Sequence, residues 1–136
     1  MKRFLSTKYS DTAFNLSMLI LRLAAGLLIL SYHGLDKLQN FSNMENSFYS
    51  FMGLGSKTTL IIAIFAEVFC GLFVILGLFT RLAVIPLILM LLVAVFSVKS
   101  GMPMMKMELD FLYLAPFLVL LLCGPGKISI DAMINK

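Results

Sequence analysis

Charged residues are scarce in this sequence. Only 13% of its 136 residues are charged and 60% are hydrophobic, whereas a typical soluble domain has about 25% charged residues. This composition excludes an ordinary soluble domain and indicates a single membrane domain over residues 1–136. The net charge of +4 does not indicate a nucleic-acid partner, because the basic residues do not cluster and no nucleic-acid-binding motif occurs.

Residues that could hold a redox centre are also scarce. His33 is the only histidine, which excludes, within one chain, a haem held by two histidines or a His-rich metal site. Cys70 and Cys123 lie in separate apolar runs and form no CxxC pair, so a dithiol motif is absent. No phosphate-binding loop, dinucleotide fingerprint or nucleophile triad occurs, and neither a metal nor a flavin is expected.

Four apolar segments make up most of the chain. They predict membrane spans at about residues 14–34, 59–79, 82–98 and 108–123. Thr80 and Arg81 predict a very short turn between the second and third spans, which makes those two spans an antiparallel hairpin. Because every backbone group in lipid needs an internal partner, the predicted fold is all-α, a four-helix transmembrane bundle.

The longest connection, residues 39–58, joins the first two spans. It has no apolar run long enough to cross a bilayer, yet it is rich in aromatic residues. Aromatic rings are favoured at the boundary between membrane and water, so this loop is predicted to lie in the interface.

The distribution of basic residues predicts the orientation. Four spans place both termini on one side. That side carries six lysines and arginines (Lys2, Arg3, Lys8, Arg81, Lys127 and Lys136), and the other side carries four (Lys37, Lys57, Lys99 and Lys106). Positive charge marks the cytoplasmic side, which predicts cytoplasmic termini in a bacterial-type inner membrane.

Polar side chains gather on one face of the first span. At 100° per residue, Arg22, Gly26, His33 and Lys37 fall within roughly one 60° sector. An ionisable group at membrane depth costs at least about 2.5–3.5 kcal/mol on insertion scales, so Arg22 needs a partner or a wet surrounding. Glu67 is the only charged residue in the second span and raises the same requirement.

These residues predict a site that handles protons or a quinone. Helical rise places Glu67 between Arg22 and His33 in height, and side chains lean toward their own helix N-terminus. Glu67 and His33 therefore converge, while a direct Arg22–Glu67 pair stays open as an alternative. Arg22, His33 and Glu67 are the candidate catalytic residues, since such groups can supply the protons that accompany quinone reduction. The other interpretation is a buried polar network that only fixes helix register.

Three stretches resemble one family of membrane proteins. RLAAGLLILSYHGLDKL, AEVFCGLFVILGLFTR and the ending GPGKISID are similar, in this order, to the DoxX family of small four-span integral membrane proteins. The resemblance implies a quinone-linked, redox-associated membrane subunit whose electron carrier comes from a partner. It implies a cofactor contact at Lys37 and Arg81. It also implies a structural motif in the tail, formed by Gly124, Gly126, Ser129 and Asp131.

Three hypotheses from different classes remain. The first is the quinone-associated oxidoreductase subunit, which requires a pocket between the first two helices that is wide enough for a quinone ring. The second is a non-enzymatic anchor or partner of a soluble redox protein, with the loop 39–58 and the tail as docking surfaces. The third is a small transporter or proton pathway, which would need a homo-oligomer because the chain has no inverted repeat.

Overall fold

The computed structural model describes residues 2–135, and within that range every regular element is helical. The principal helices are α1 (Asp11–Gln39), α2 (Ser56–Leu76), α3 (Thr80–Val98), α4 (Glu108–Cys123) and α5 (Ile130–Ile134). Short helical turns lie at Lys2–Leu5, Phe41–Met44, Phe51–Gly53 and Met104–Lys106.

Three helices are long and apolar enough to cross a membrane. They are α1 with 29 residues, α2 with 21 and α3 with 19. Helix α4 has 16 residues, about 24 Å at 1.5 Å per residue, against a hydrocarbon core of about 30 Å. The all-helical prediction is confirmed, and the fourth span stays a prediction.

The first helix is longer at both ends than the predicted span. The Ser10 hydroxyl accepts a hydrogen bond from the Ala13 N–H at 3.1 Å, which caps α1 three residues before the apolar run begins. At the other end the helix continues through Lys37 to Gln39. The polar residues that follow the apolar run therefore belong to the same helix.

The turn between α2 and α3 lies earlier than predicted. Gly77 ends α2 with φ of +72°, and Phe79 precedes α3 with φ of +48°. Thr80 and Arg81, predicted as the turn, are the first two residues of α3. The Gly77 N–H donates to the Val74 carbonyl at 3.2 Å. Glycine ends the helix in a left-handed conformation because it has no side chain to clash with the backbone.

Chain direction gives the molecule two ends. The terminal end contains the start of α1, the α2–α3 turn, the end of α4 and α5. The distal end contains the end of α1, the start of α2 and the connection between α3 and α4. Between the two ends, Ile29, Val74, Leu87 and Phe117 form a core to which α1 to α4 each contribute.

The outer surface is largely apolar. Large side chains such as Ile20, Phe69, Phe96 and Leu122 are exposed on the four long helices. An apolar surface of this extent indicates contact with lipid, which agrees with the length and composition of the helices.

Three helices each contain a five-residue π-helical turn. These turns are Leu30–Gly34 in α1, Ala66–Cys70 in α2 and Ala94–Val98 in α3. The first two face each other, because a Cβ added at Gly34 would lie 2.9 Å from Val68 Cγ2. Single π turns inside α-helices occur frequently at functional sites.

Candidate functional site

A buried ion pair joins the two facing π-helical regions. Lys37 Nζ lies 2.6 Å from Glu67 Oε1, and the two side chains are 17% and 1% exposed. Glu67 lies within the π turn of α2, and Lys37 lies one helical turn after His33 on α1. The lysine stem is long enough to reach the carboxylate.

This pairing corrects the predicted partner of Glu67. His33 was expected to meet the carboxylate, but its ring packs on α4, where it stands at 90° to the Tyr113 ring with centroids 5.2 Å apart. The height argument placed His33 correctly near the distal end of α1 but did not fix the rotation of the helix around its axis. Because α1 remains helical through Lys37, the lysine takes the position facing α2.

A second ion pair lies nearby at the distal end. Lys99 Nζ contacts Asp110 Oδ2 at 2.6 Å and also donates to the Lys106 carbonyl at 3.0 Å. Asp110 lies in the first turn of α4, and its partner Lys99 directly follows α3.

We call this group of side chains the distal polar cluster. Helices α1, α2 and α4 contribute to it, together with Lys99, which directly follows α3. Its members are His33, Lys37, Glu67, Lys99, Asp110 and Tyr113. Tyr113 was not among the predicted site residues. The available signal was a tyrosine within the first two turns of an otherwise apolar helix, because a buried tyrosine hydroxyl usually finds a partner.

Arg22 lies at the other end of the molecule. It is 2% exposed, and Nη1 donates to the carbonyls of Pro125 at 3.0 Å and Ile128 at 2.6 Å, while Nη2 donates to Ile75 at 3.3 Å. Fifteen residues separate it from Lys37, a rise of about 22 Å. The predicted trio of Arg22, His33 and Glu67 therefore does not form one site.

Asp131 holds the C-terminal segment, residues 124–131, against the α2–α3 turn. Its two carboxylate oxygens accept from the N–H groups of Phe79 at 2.7 Å and Thr80 at 2.9 Å. Its own N–H donates to the Gly77 carbonyl at 2.8 Å. The side chain thus caps the start of α3, where backbone N–H groups have no partner within the helix.

The remaining tail residues shape the same segment. The Ser129 hydroxyl donates to the Gly126 carbonyl at 2.8 Å and accepts from the Ala132 N–H at 3.2 Å, which caps α5. Gly124 and Gly126 have φ of +80° and +83°, a region that disfavours other residues. The geometry therefore gives Gly124, Gly126, Ser129 and Asp131 roles in shaping and anchoring the tail.

Arg81 and Lys37 lie at opposite ends, so they cannot contact one cofactor together. Arg81 is exposed, and its Nη2 approaches the Leu122 carbonyl at 3.4 Å. It lines an open pocket of about 700 Å³ at the terminal end, together with Lys127 and Cys123. Cys123 is exposed and Cys70 is buried, and both thiols are free.

The interface between α1 and α2 is closely packed. A Cβ added at Gly26 would lie 2.6 Å from Ile75 Cγ1, and one added at Gly71 would lie 3.4 Å from Ile29 Cγ2. These glycines leave no room for a ring between the two helices. A cleft of about 190 Å³ lies instead between α1 and α4, and Tyr113 is part of its wall.

Together, the apolar helices and the buried polar groups define a small helical integral membrane protein. The DoxX family model matches residues 17–100, and the chain belongs to that family. A Bacillus subtilis (strain 168) protein named "Putative oxidoreductase CatD" is 33% identical over 129 residues, which cover 93% of this chain and 92% of that protein. No solved structure matches the chain.

Proposed function

We propose that the chain is a quinone-linked membrane subunit of a redox system, in which the distal polar cluster exchanges protons. The observation that carries this proposal is the Lys37–Glu67 ion pair. Glu67 lies eleven residues into α2, about 16 Å from its start. Ionisable groups at such a depth are costly to bury and usually mark a path for protons, ions or a ligand.

The chemistry of the cluster suits proton exchange with a quinone. Reduction of a quinone to a quinol takes up two electrons and two protons, and a partner protein supplies the electrons. The His33 imidazole and the Glu67 carboxylate are groups that can donate or accept a proton, and Lys37 holds the carboxylate in place. The name of the Bacillus subtilis relative describes an oxidoreductase, which supports a redox association.

We further propose that α4 is a fourth span. Its two ends are tied to the same ends of the molecule as α3: Asp110 pairs with Lys99 at the distal end, and Leu122 lies beside Arg81 at the terminal end. Helix α4 therefore runs the same height as a helix that is long enough to span. Four spans and the distribution of basic residues give cytoplasmic termini in a bacterial inner membrane.

The open pocket at the terminal end favours a second candidate function. A surface pocket of about 700 Å³ beside the anchored tail offers a soluble redox protein a place to dock. The chain would then be an anchor with no ligand of its own. This alternative predicts that the purified protein binds no quinone.

Direct binding of a short-chain quinone tests the proposal. Purified protein in lipid nanodiscs should bind the quinone saturably. Glu67→Gln and His33→Ala should weaken binding by about tenfold or more, because each removes an ionisable group of the cluster. Glu108→Gln is the matched control, since Glu108 is an exposed acid at the same end. Absence of saturable binding by the wild type would overturn the proposal and favour the anchor.

A further inference from the structure

We infer that the quinone ring binds in the cleft between α1 and α4, against Tyr113, and enters it from the lipid. This inference rests on the proposed function, because it concerns the place where that ligand lies. It replaces the predicted pocket between the first two helices, which is wrong because the close packing at Gly26 and Gly71 leaves no room for a ring there.

The cleft is built for an apolar ligand that arrives through the membrane. Leu28 on α1 faces Leu109 and Leu112 on α4, and all three are exposed on the outer surface of the helices. Ala24 is also exposed and leaves space between the two helices because its side chain is small. A water-soluble substrate would have to cross lipid to reach this opening.

Tyr113 is the polar side chain of the cleft wall and connects the cleft to the distal polar cluster. Its hydroxyl can donate to a quinone carbonyl or accept from a quinol. Its ring stands edge-on to the His33 ring, with centroids 5.2 Å apart. A ring held against Tyr113 would therefore lie beside the groups that exchange protons.

Neither the α1–α2 interface nor the terminal pocket combines an apolar entrance with a position beside Tyr113. The α1–α2 interface is closed by contacts at Gly26 and Gly71. The pocket of about 700 Å³ is lined by charged groups such as Arg81 and Lys127 and lies at the terminal end, away from Tyr113. The α1–α4 cleft is the opening that joins an apolar entrance to the cluster.

The first test fills the cleft. Ala24→Leu places a larger side chain in the opening, and Tyr113→Phe removes its hydroxyl. Each should weaken binding of the short-chain quinone by about tenfold or more. Ala115→Leu is the matched control, because Ala115 is exposed on α4 outside the cleft wall and should leave affinity unchanged.

The second test needs no variant. A photoreactive azidoquinone in wild-type nanodiscs should label peptides from α1 and α4, with labelling reduced by excess unmodified quinone. Saturable binding with wild-type affinity in Ala24→Leu, or competed labelling confined to the α1–α2 interface or the terminal pocket, would overturn the inference but leave the proposed function standing. No saturable binding by the wild type would overturn both.

Discussion

Two buried charged residues in this chain, Glu67 and Arg22, have different kinds of partner. Glu67 is neutralised by the Lys37 side chain across a helix interface. Among the described residues no acid lies within salt-bridge distance of Arg22. Its two terminal nitrogens donate to three backbone carbonyls from α2 and the tail, and its buried Nε has no partner there. A guanidinium has five N–H donors in a fixed fork, which suits several carbonyls at once. At the residue scale, Glu67 is one member of an ion pair between α1 and α2, and Arg22 connects α1 to α2 and to the tail.

The pairing of Lys37 with Glu67 predicts non-additive effects on stability. Lys37→Met leaves an unpaired buried carboxylate and should lower the free energy of unfolding by about 3 kcal/mol, because breaking a buried pair leaves an uncompensated charge. Lys37→Met/Glu67→Leu should recover at least half of that loss. Unfolding in mild detergent measures both variants.

The control for this double-variant comparison is Lys57→Met. Lys57 is an exposed lysine at the start of α2, and its replacement should change stability by less than about 0.5 kcal/mol. Glu67→Leu alone completes the comparison. If the loss of stability in the double variant equalled the sum of the losses in Lys37→Met and Glu67→Leu, the Lys37–Glu67 pairing would be wrong.

At the scale of elements, the C-terminal segment connects the helices at the terminal end. Asp131 caps α3, Ser129 caps α5, and the Lys127 N–H donates to Asn15 on α1 at 2.9 Å. The segment thereby ties the tail to α1 and to the α2–α3 turn. Gly77 is the point at which this arrangement leaves no space for a side chain.

Gly77→Ala is therefore predicted to destabilise the terminal end. Its Cβ would clash with Ser129 Cβ and lie 3.0 Å from Arg22 Nη1, in a backbone with φ of +72°. We expect a loss of about 2 kcal/mol or more, combining backbone strain with displacement of the tail. Thermal unfolding and tryptic cleavage at Lys127 would measure it.

Gly101→Ala is a close control for that substitution. Gly101 has φ of +83°, and a Cβ there would meet no atom within 4 Å. Gly101→Ala therefore has only the cost of placing a side chain on a left-handed backbone, and it should lower the free energy of unfolding by about 1 kcal/mol. Equal losses in the two variants would refute a contact between Gly77 and the tail.

At the scale of the whole molecule, the structure separates the anchored tail from the distal polar cluster. The terminal end holds Arg22, the tail and the open pocket, whereas the ion pairs and the two facing π turns lie toward the distal end. The cleft beside Tyr113 lies between them, because the α1 residues in its wall, 21–28, are in the middle of that helix. Both ends are built from α1, which runs the full height as one 29-residue helix. The helix that carries the polar stripe thus supplies residues to two separate sites.

Sequence reasoning reached the fold because composition and helix length carry that information. It identified the all-helical class, the family and the buried charges Arg22 and Glu67. The partners of those charges depend on helix rotation and on the path of the tail. Helical periodicity put Arg22, His33 and Lys37 on one face, but fifteen residues of rise separate the first from the last. The role of Tyr113 depends on the packing of α4 against α1, which no local pattern encodes.

The most direct test of this separation compares variants of two predicted site residues, Arg22 and Glu67, in one binding experiment. Arg22→Lys and Glu67→Gln are each titrated with a short-chain quinone in nanodiscs, and tryptic cleavage at Lys127 is followed in parallel. The account predicts that Arg22→Lys binds the quinone as the wild type does but exposes the tail to cleavage, while Glu67→Gln loses affinity and keeps the tail protected. Loss of quinone affinity in Arg22→Lys, with an intact tail and full affinity in Glu67→Gln, would contradict it.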